Sequence, residues 1–275
     1  MRTLLTPVED PSLDDADWRL LLDLTARAAQ EGNASPQEAV RGLVRGLAGP
    51  LNAYGEMTIL AVRNLSAPAD DPLRGFRAGA VLISGPGMRN PRLAERFLKD
   101  ELVKDELARW LTARAGQPRV QRQSTAIEAR WAETRTADFM RRVGHGDHLI
   151  AGCPLHRTVE VYVSFVRPVG AAPFDEHDQR LLTEALPVLR PWCERWAQVF
   201  GLFPGQTPLS RRERQAVGLL FSALSEKALA HELGLSVGTA HQYVVSIYRK
   251  LGVGSRQELL VRGAPRPYPA LERER

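Results

Sequence analysis

The spacing of apolar and polar positions changes several times along the chain. From Ser12 to about Gln30, Trp18, Leu21, Leu22 and Thr25 recur at helical spacing, with Ser12 and Asp14 as cap candidates. Ser35-Pro36 predicts the start of a second helix reaching about Tyr54, and Gly49-Pro50 is a candidate earlier break. Two strand-like runs follow at 56–62 and 78–84, separated by the turn-rich SAPADDPLRG. Residues 91–114 predict a strongly charged helix with Leu107, Trp110 and Leu111 in its apolar set, and 121–143 predict another. Segments 148–155 and 159–166 read as an antiparallel hairpin turning at His156–Thr158. Val159, Val161, Val163 and Phe165 alternate there with Glu160, Tyr162 and Ser164. Pro173-Phe174-Asp175 opens a long helix to about Phe200, capped by Asp175 with Asp178 three residues on, and Pro187 and Pro191 are expected to kink it.

The last quarter has a different texture, with short helices between cap residues. Ser210 with Glu213 forms a capping box for a helix over about 210–223. Ser225 caps a short second helix, Gly234-Leu235 turns the chain, and Ser236 caps a third helix running to about Leu251. On that third helix Ala240, Val244, Ile247 and Leu251 are spaced 4, 3 and 4, so they form one stripe that must pack inward. The opposite face centres on Gln242 and Arg249, with Gly238, Val245 and Ser246 beside them and His241 nearer the edge. It carries no acidic residue. Such a helix suits the major groove, and its N-terminus offers free N–H groups to a phosphate.

The stretch 209–256, with its SxGT…IxRKLGVxSR string, resembles a LuxR-type (GerE-like) helix-turn-helix. The resemblance implies that His241, Gln242 and Val245 face base edges. It implies that Lys227, Ser236, Thr239, Arg249, Lys250 and Arg256 position phosphates. The sequence departs from the usual pattern at Ala223, where a glycine commonly ends the first helix. His241 stands where lysine is frequent, and Tyr243 where histidine is frequent. A second resemblance lies upstream. DHLIAGCPL followed by TVEVYVSFVRPVGAAPFDEHDQRLLTEALPVL is similar to the last strands and closing helix of GAF/PAS-like sensor domains.

Charge placement supports the division. Residues 205–275 hold eleven Lys and Arg against six Asp and Glu, whereas 1–204 hold 26 of each. The positive excess is therefore confined to the segment expected to meet phosphates. With 275 residues, two modest domains are expected. The opening MRTLLTPVEDPSLDD has no apolar core of a secretory signal and no run is long enough to span a membrane, so a cytoplasmic protein is expected. Cys153 and Cys193 have no disulfide or zinc spacing.

His145, Asp147, His148, Cys153 and His156 match no common metal spacing. A phospho-acceptor receiver is excluded because Asp70-Asp71 lie in a proline-rich loop, and the lysines of 1–204 are Lys99 and Lys104, both in a predicted helix. The Trp/Tyr/Asp/Trp signature of acyl-homoserine-lactone sensors cannot be placed. No nucleophile–base pair, phosphate loop or carboxylate dyad emerges, so no enzyme, cofactor or metal is expected.

The expected architecture is an α+β GAF/PAS-like sensory or dimerisation domain (1–200), built as an antiparallel sheet flanked by helices. A linker (201–208), an all-α LuxR-type domain of four helices (209–262) and a disordered tail (263–275) follow. The expected function is a bacterial transcription regulator. Its partners would be double-stranded DNA, a second copy of the chain and RNA polymerase, with an unknown small molecule on the N-terminal domain. The alternative is a constitutive DNA-binding protein whose N-terminal domain serves a protein partner or dimerisation.

Overall fold

The computed structural model describes residues 13–31, 35–85, 106–123, 135–221 and 224–262. The expected tail at 263–275 and the corner at Ala223 lie outside them. The N-terminal part is a helix–sheet–helix sandwich. Its helices are α1 (Asp15–Glu31), α2 (Pro36–Ala48), α3 (Glu106–Ala113), α4 (Arg135–Arg142) and α5 (Glu176–Val199). Its strands are β1 (Gly55–Arg63), β2 (Phe76–Ser84), β3 (Arg119–Arg122), β4 (His145–His156) and β5 (Val159–Pro168). They form one antiparallel sheet in the order β2-β1-β5-β4-β3. Helices α6 (Arg211–Phe221), α7 (Glu226–Leu233), α8 (Val237–Leu251) and α9 (Arg256–Arg262) complete the C-terminal part.

The alternation along β5 decides which side of the sheet each residue serves. Val159, Val161, Val163 and Phe165 are buried in one core with Leu43 and Leu47 of α2 and with Leu181, Leu189 and Trp196 of α5. Glu160, Tyr162 and Ser164 point to the other face and are buried too, because helical segments cover both faces. Each fully buried Leu or Phe contributes roughly 1.5–3 kcal/mol of transfer free energy.

Several local expectations change in the tertiary setting. Helix α1 buries Leu21, Leu24 and Ala28 and leaves Trp18 and Leu22 in solvent. The face read from the sequence was rotated because Trp18 and Leu22 are bulky but not inward. Asp14 caps α1 by accepting from Ala16 and Asp17 N–H groups at 2.7 and 2.9 Å. Residues 119–122, partly assigned to a helix over 121–143, instead form a strand paired with Leu149–Gly152 on β4. Of that predicted helix, α4 covers Arg135–Arg142, while 124–134 and the first part of the 91–114 prediction lie outside the described residues. Helix α2 ends at Ala48, at the Gly49-Pro50 break. Helix α5 runs unbroken past Pro187 and Pro191, behind the Asp175–Asp178 capping box.

Arg167, at the end of β5, staples three elements. It donates to both oxygens of Asp178 (3.1 and 2.9 Å) at the start of α5. It also donates to the Leu51 carbonyl after α2 (3.0 and 2.8 Å), and to the Pro173 carbonyl at 2.9 Å. Its guanidinium lies over the Phe174 ring, 4.2 Å from the centroid. On the other face Glu160 takes two bonds from Arg119 (3.2 and 2.6 Å), one from the Gly116 N–H (2.7 Å) and one from the Tyr162 hydroxyl (2.6 Å). Gly152 makes room for this, because a Cβ there would come within 2.6 Å of the Arg119 guanidinium carbon.

The segment expected to be a linker is packed. Leu202 and Phe203 lie against the N-terminal core, and Val199 at the end of α5 is buried in the C-terminal one. The Thr207 N–H donates to the Lys250 carbonyl at 2.8 Å. Arg214 of α6 lies over the Phe200 ring at 4.6 Å.

Arg167→Met keeps the apolar stem of the side chain but strands the Asp178 carboxylate, which is 7% exposed. Urea unfolding of the full chain is expected to show a loss of about 3–5 kcal/mol. A loss below about 1 kcal/mol would mean that the staple is dispensable.

Candidate nucleic-acid interface and the sheet cavity

The C-terminal helices are set by their ends. Ser225 accepts from Ala228 N–H at 3.2 Å and Ser236 from Thr239 N–H at 3.1 Å. Between α7 and α8 the chain turns at Gly234, whose φ of 64° is a left-handed cap. The N–H of Leu235 returns to the Ala230 carbonyl at 2.8 Å, closing the turn. A side chain at 234 would add about 1 kcal/mol of backbone strain. The expected Ser210–Glu213 box is present. Glu213 accepts from Ser210 N–H at 2.7 Å, and Ser210 Oγ accepts from Glu213 N–H at 3.3 Å.

Helix α8 buries Ala240, Val244, Ile247 and Leu251, the stripe read from the sequence. Its outward face presents Val237, Gly238, Thr239, His241, Gln242, Val245 and Arg249, all exposed. Val237 and Val245 are 53% and 52% exposed, two apolar residues held in water among polar neighbours on that face. Lys227 is exposed on α7, and the hydroxyls of Ser236 and Thr239 lie 2.8 Å apart at the α8 N-terminus. His241 Nδ1 lies 3.0 Å from Glu226 Oε2.

Two of the basic residues assigned to phosphates are engaged elsewhere. Lys250 donates to Glu213 Oε2 at 2.7 Å, and Ser246 donates to Glu213 Oε1 at 2.8 Å. Arg256 donates to the Leu220 carbonyl at 3.0 and 2.6 Å, and also to the Leu224 carbonyl, sealing the end of α6. Read in sequence, both belonged to a basic helix end. Their partners lie 37 and 36 residues away, a separation that spacing rules do not reach.

Burial alone would raise the Glu213 carboxyl. The bonds from Lys250, the Ser210 N–H and Ser246 outweigh it and hold the pKa down at about 2. A carboxyl lowered in this way adds stability that is complete above its unfolded pKa, near 4.5, and is lost as pH falls towards 2. Glu213→Gln is therefore expected to lower stability at pH 7 by roughly 2–3 kcal/mol and to flatten the acid limb between pH 4.5 and 2. Urea midpoints across that range measure it, and an unchanged acid limb would show that the lock contributes little.

The second concave feature lies on the sheet face opposite α1, α2 and α5. Met57, Ile59, Ala61, Ile150 and Tyr162 supply the sheet side. Leu111 and Thr112 of α3 and Met140 of α4 lie across from them, and Phe76, Arg77 and Ala78 come from β2. About 660 Å³ is unfilled, part of it open to solvent. His148 and Ser164 also line the space. His148 is 6% exposed, and its Nε2 meets no hydrogen-bond partner among the described residues. Burial, reinforced by the neighbouring His145, pushes its pKa down to about 3, so the ring is neutral.

The residues weighed as metal ligands do not converge. Asp147 accepts the Phe174 N–H at 2.7 Å, and His156 Nδ1 lies 3.0 Å from Thr158 Oγ1 in the hairpin turn. Among the described residues Asp175, His177 and Asp178 do come together. They serve the α5 cap, a 2.8 Å contact from His177 to Asp17, and the Arg167 staple.

Comparison with known proteins agrees with this geometry. Residues 207–262 match the family model "Bacterial regulatory proteins, luxR family". The HTH-type transcriptional regulator MalT of Yersinia pestis (strain Pestoides F) is 40% identical over 52 residues, which are 19% of this chain and 6% of the relative. MalT of Vibrio cholerae serotype O1 is 36% identical over 52 residues, with the same coverage of each chain. The chain thus spans a small fraction of the length of these relatives. Among solved structures, SdiA in complex with octanoyl-rac-glycerol aligns over 91% of this chain and 96% of its own, with a TM-score of 0.50 and 10% identity. That likeness is one of fold.

Proposed function

For a chain whose residues 207–262 are a luxR-family helix-turn-helix domain, we propose a DNA-binding transcription regulator. In it, helix α8 enters the major groove. The observation that carries the reading is the outward face of α8. Helix α8 contributes no acidic side chain to it, Glu226 of α7 meets it only at His241, and it is capped by Ser236 and backed by a fully buried stripe. His241, Gln242 and Val245 face base edges there, where the Gln242 amide can pair with adenine. Ser236, Thr239, Lys227 and Arg249 are assigned to phosphates. Lys250 and Arg256 are assigned first to holding α8 and α6, since contact with DNA would require them to leave Glu213 and the α6 carbonyls.

The N-terminal part is assigned a sensory role, with the sheet cavity as the place a small molecule occupies. The solved structure that shares this fold contains octanoyl-rac-glycerol, which supports a small-molecule role for such a domain. The antiparallel sheet, its closing hairpin and the helix opening at PFDEHDQRLL support kinship with GAF/PAS-like sensors. Among the described residues no helix is long and apolar enough to cross a membrane. We place the protein in the cytoplasm, acting as a homodimer with RNA polymerase as a downstream partner. The alternative is a constitutive binder with a protein-docking N-terminal domain. Trp18 and Leu22 on α1, 47% and 68% exposed, favour such a surface.

The test uses the full chain on a site selected from random DNA. Gln242→Ala is expected to weaken binding roughly 5- to 150-fold and to relax discrimination at one base pair. Arg249→Ala is expected to weaken all sequences alike and to reduce the salt slope by about one. Unchanged selectivity in Gln242→Ala would remove α8 from the role of reader.

A further inference from the structure

We propose that the outward face of α1 is a seam between two copies of this chain, which meet there as antiparallel helices about a twofold axis. The proposal rests on the homodimer reading above and names its surface.

The first observation is an uncovered apolar row. Helix α1 is held to the molecule by Leu21, Leu24 and Ala28, all buried, and by Asp17, whose carboxylate lies 2.8 Å from Nε2 of His177 on α5. Trp18 and Leu22 sit one turn apart on another side, 47% and 68% exposed, and Ala26, one turn further, is exposed as well. A tryptophan and a leucine stacked in water on a helix seated this firmly make a patch that association would bury. Tryptophan is also enriched at such contacts.

The second observation is the order of charges beside that row. The next row of α1, again at four-residue spacing, reads Asp15, Arg19, Asp23, Arg27. All four are solvent-exposed, and within one copy each aspartate pairs with the arginine that follows it. The alternation is complementary to its own reverse. Against an antiparallel copy, Asp15 meets Arg27 and Arg19 meets Asp23, and the same two pairs repeat across the axis. Against a parallel copy in register, aspartate meets aspartate and arginine meets arginine. A row of one sign would point to an oppositely charged partner, whereas this one is neutral and fits itself.

Both antiparallel pairs are centred on the level of Leu21, so a single twofold axis satisfies them together, as an isologous interface requires. The same axis sets Trp18 level with the gap between Leu22 and Ala26 of the other copy, where the small alanine leaves room for the indole. Exposed ion pairs add little affinity each. Their part is to choose orientation and register, while Trp18 and Leu22 supply the buried area.

The experiment uses two variants of the full chain. The first combines Asp15→Arg, Arg19→Asp, Asp23→Arg and Arg27→Asp. Every pair within the helix is kept with its signs reversed. This swapped chain is mixed with isotope-labelled wild type, left to exchange, and its dimers are counted by native mass spectrometry. It should dimerise with itself as the wild type does, since its row is again complementary to its own reverse. It should form almost no mixed dimers, because a swapped row against a wild-type row sets like charges together at every pair. The second variant is Trp18→Ser with Leu22→Ser. Sedimentation over a concentration series should show its dimer Kd raised roughly tenfold or more. Its circular dichroism and cooperative unfolding should be preserved, because neither side chain belongs to the core.

Mixed dimers in statistical proportion, or a Trp18→Ser, Leu22→Ser chain that dimerises as tightly as the wild type, overturn α1 as the seam and leave the homodimer reading in place. A wild type that stays monomeric through the whole series overturns both and returns the patch to the protein-docking alternative.

Discussion

The Glu213 carboxylate is the point on which the C-terminal geometry turns. It closes the box at the start of α6 and receives Ser246 and Lys250 from the far half of α8. The buried stripe of Ala240, Val244, Ile247 and Leu251 turns one face of α8 inward and leaves open only small rotations about the helix axis. A charge-assisted pair and a hydroxyl bond four residues apart on one face remove that freedom. The result is that Gln242, Val245 and Arg249 point outward together. The same bond set joins α8 to the rest of the molecule, since the Lys250 carbonyl receives Thr207 N–H from the segment that follows α5.

That segment shows how the two parts are joined. Helix α5 covers the sheet along most of its length and delivers Val199 into the C-terminal core. Phe200 then lies under Arg214 of α6. The end of α5 is therefore in direct contact with the base of the C-terminal helices. The sheet carries α1, α2 and α5 on one face and the cavity, roofed by α3 and α4, on the other, so strands β1, β4 and β5 are the wall shared by both.

What the sequence made legible follows from how local each signal is. Caps at Ser210, Ser225, Ser236 and Asp175 involve groups three residues apart, and all four are found. The α8 stripe and the β5 alternation are periodic signals, and both survive in the fold. The misreadings come from elements whose environment is set by distant partners. The buried face of α1 was misjudged because hydrophobicity alone does not say which side meets α2. The strand at 119–122 is too short to show a period and exists through its pairing with β4. Lys250 and Arg256 keep their phosphate assignment as a proposal, while the Glu213 and α6 carbonyl partners they hold are brought to them only by the fold. The cavity was invisible for the same reason, although Met57, Ile59, Tyr162 and His148 each sit at the alternating positions that create it.

The central claim is that α8 reads the major groove. The most direct measurement is dimethyl sulfate footprinting of the full chain on a duplex selected from random sequence, comparing guanine N7 in the major groove with adenine N3 in the minor groove. The account predicts protected guanine N7 positions at a discrete site, with adenine N3 reactive across the same base pairs. Protection of adenine N3 alone, or no localised protection while the protein is bound, would contradict it.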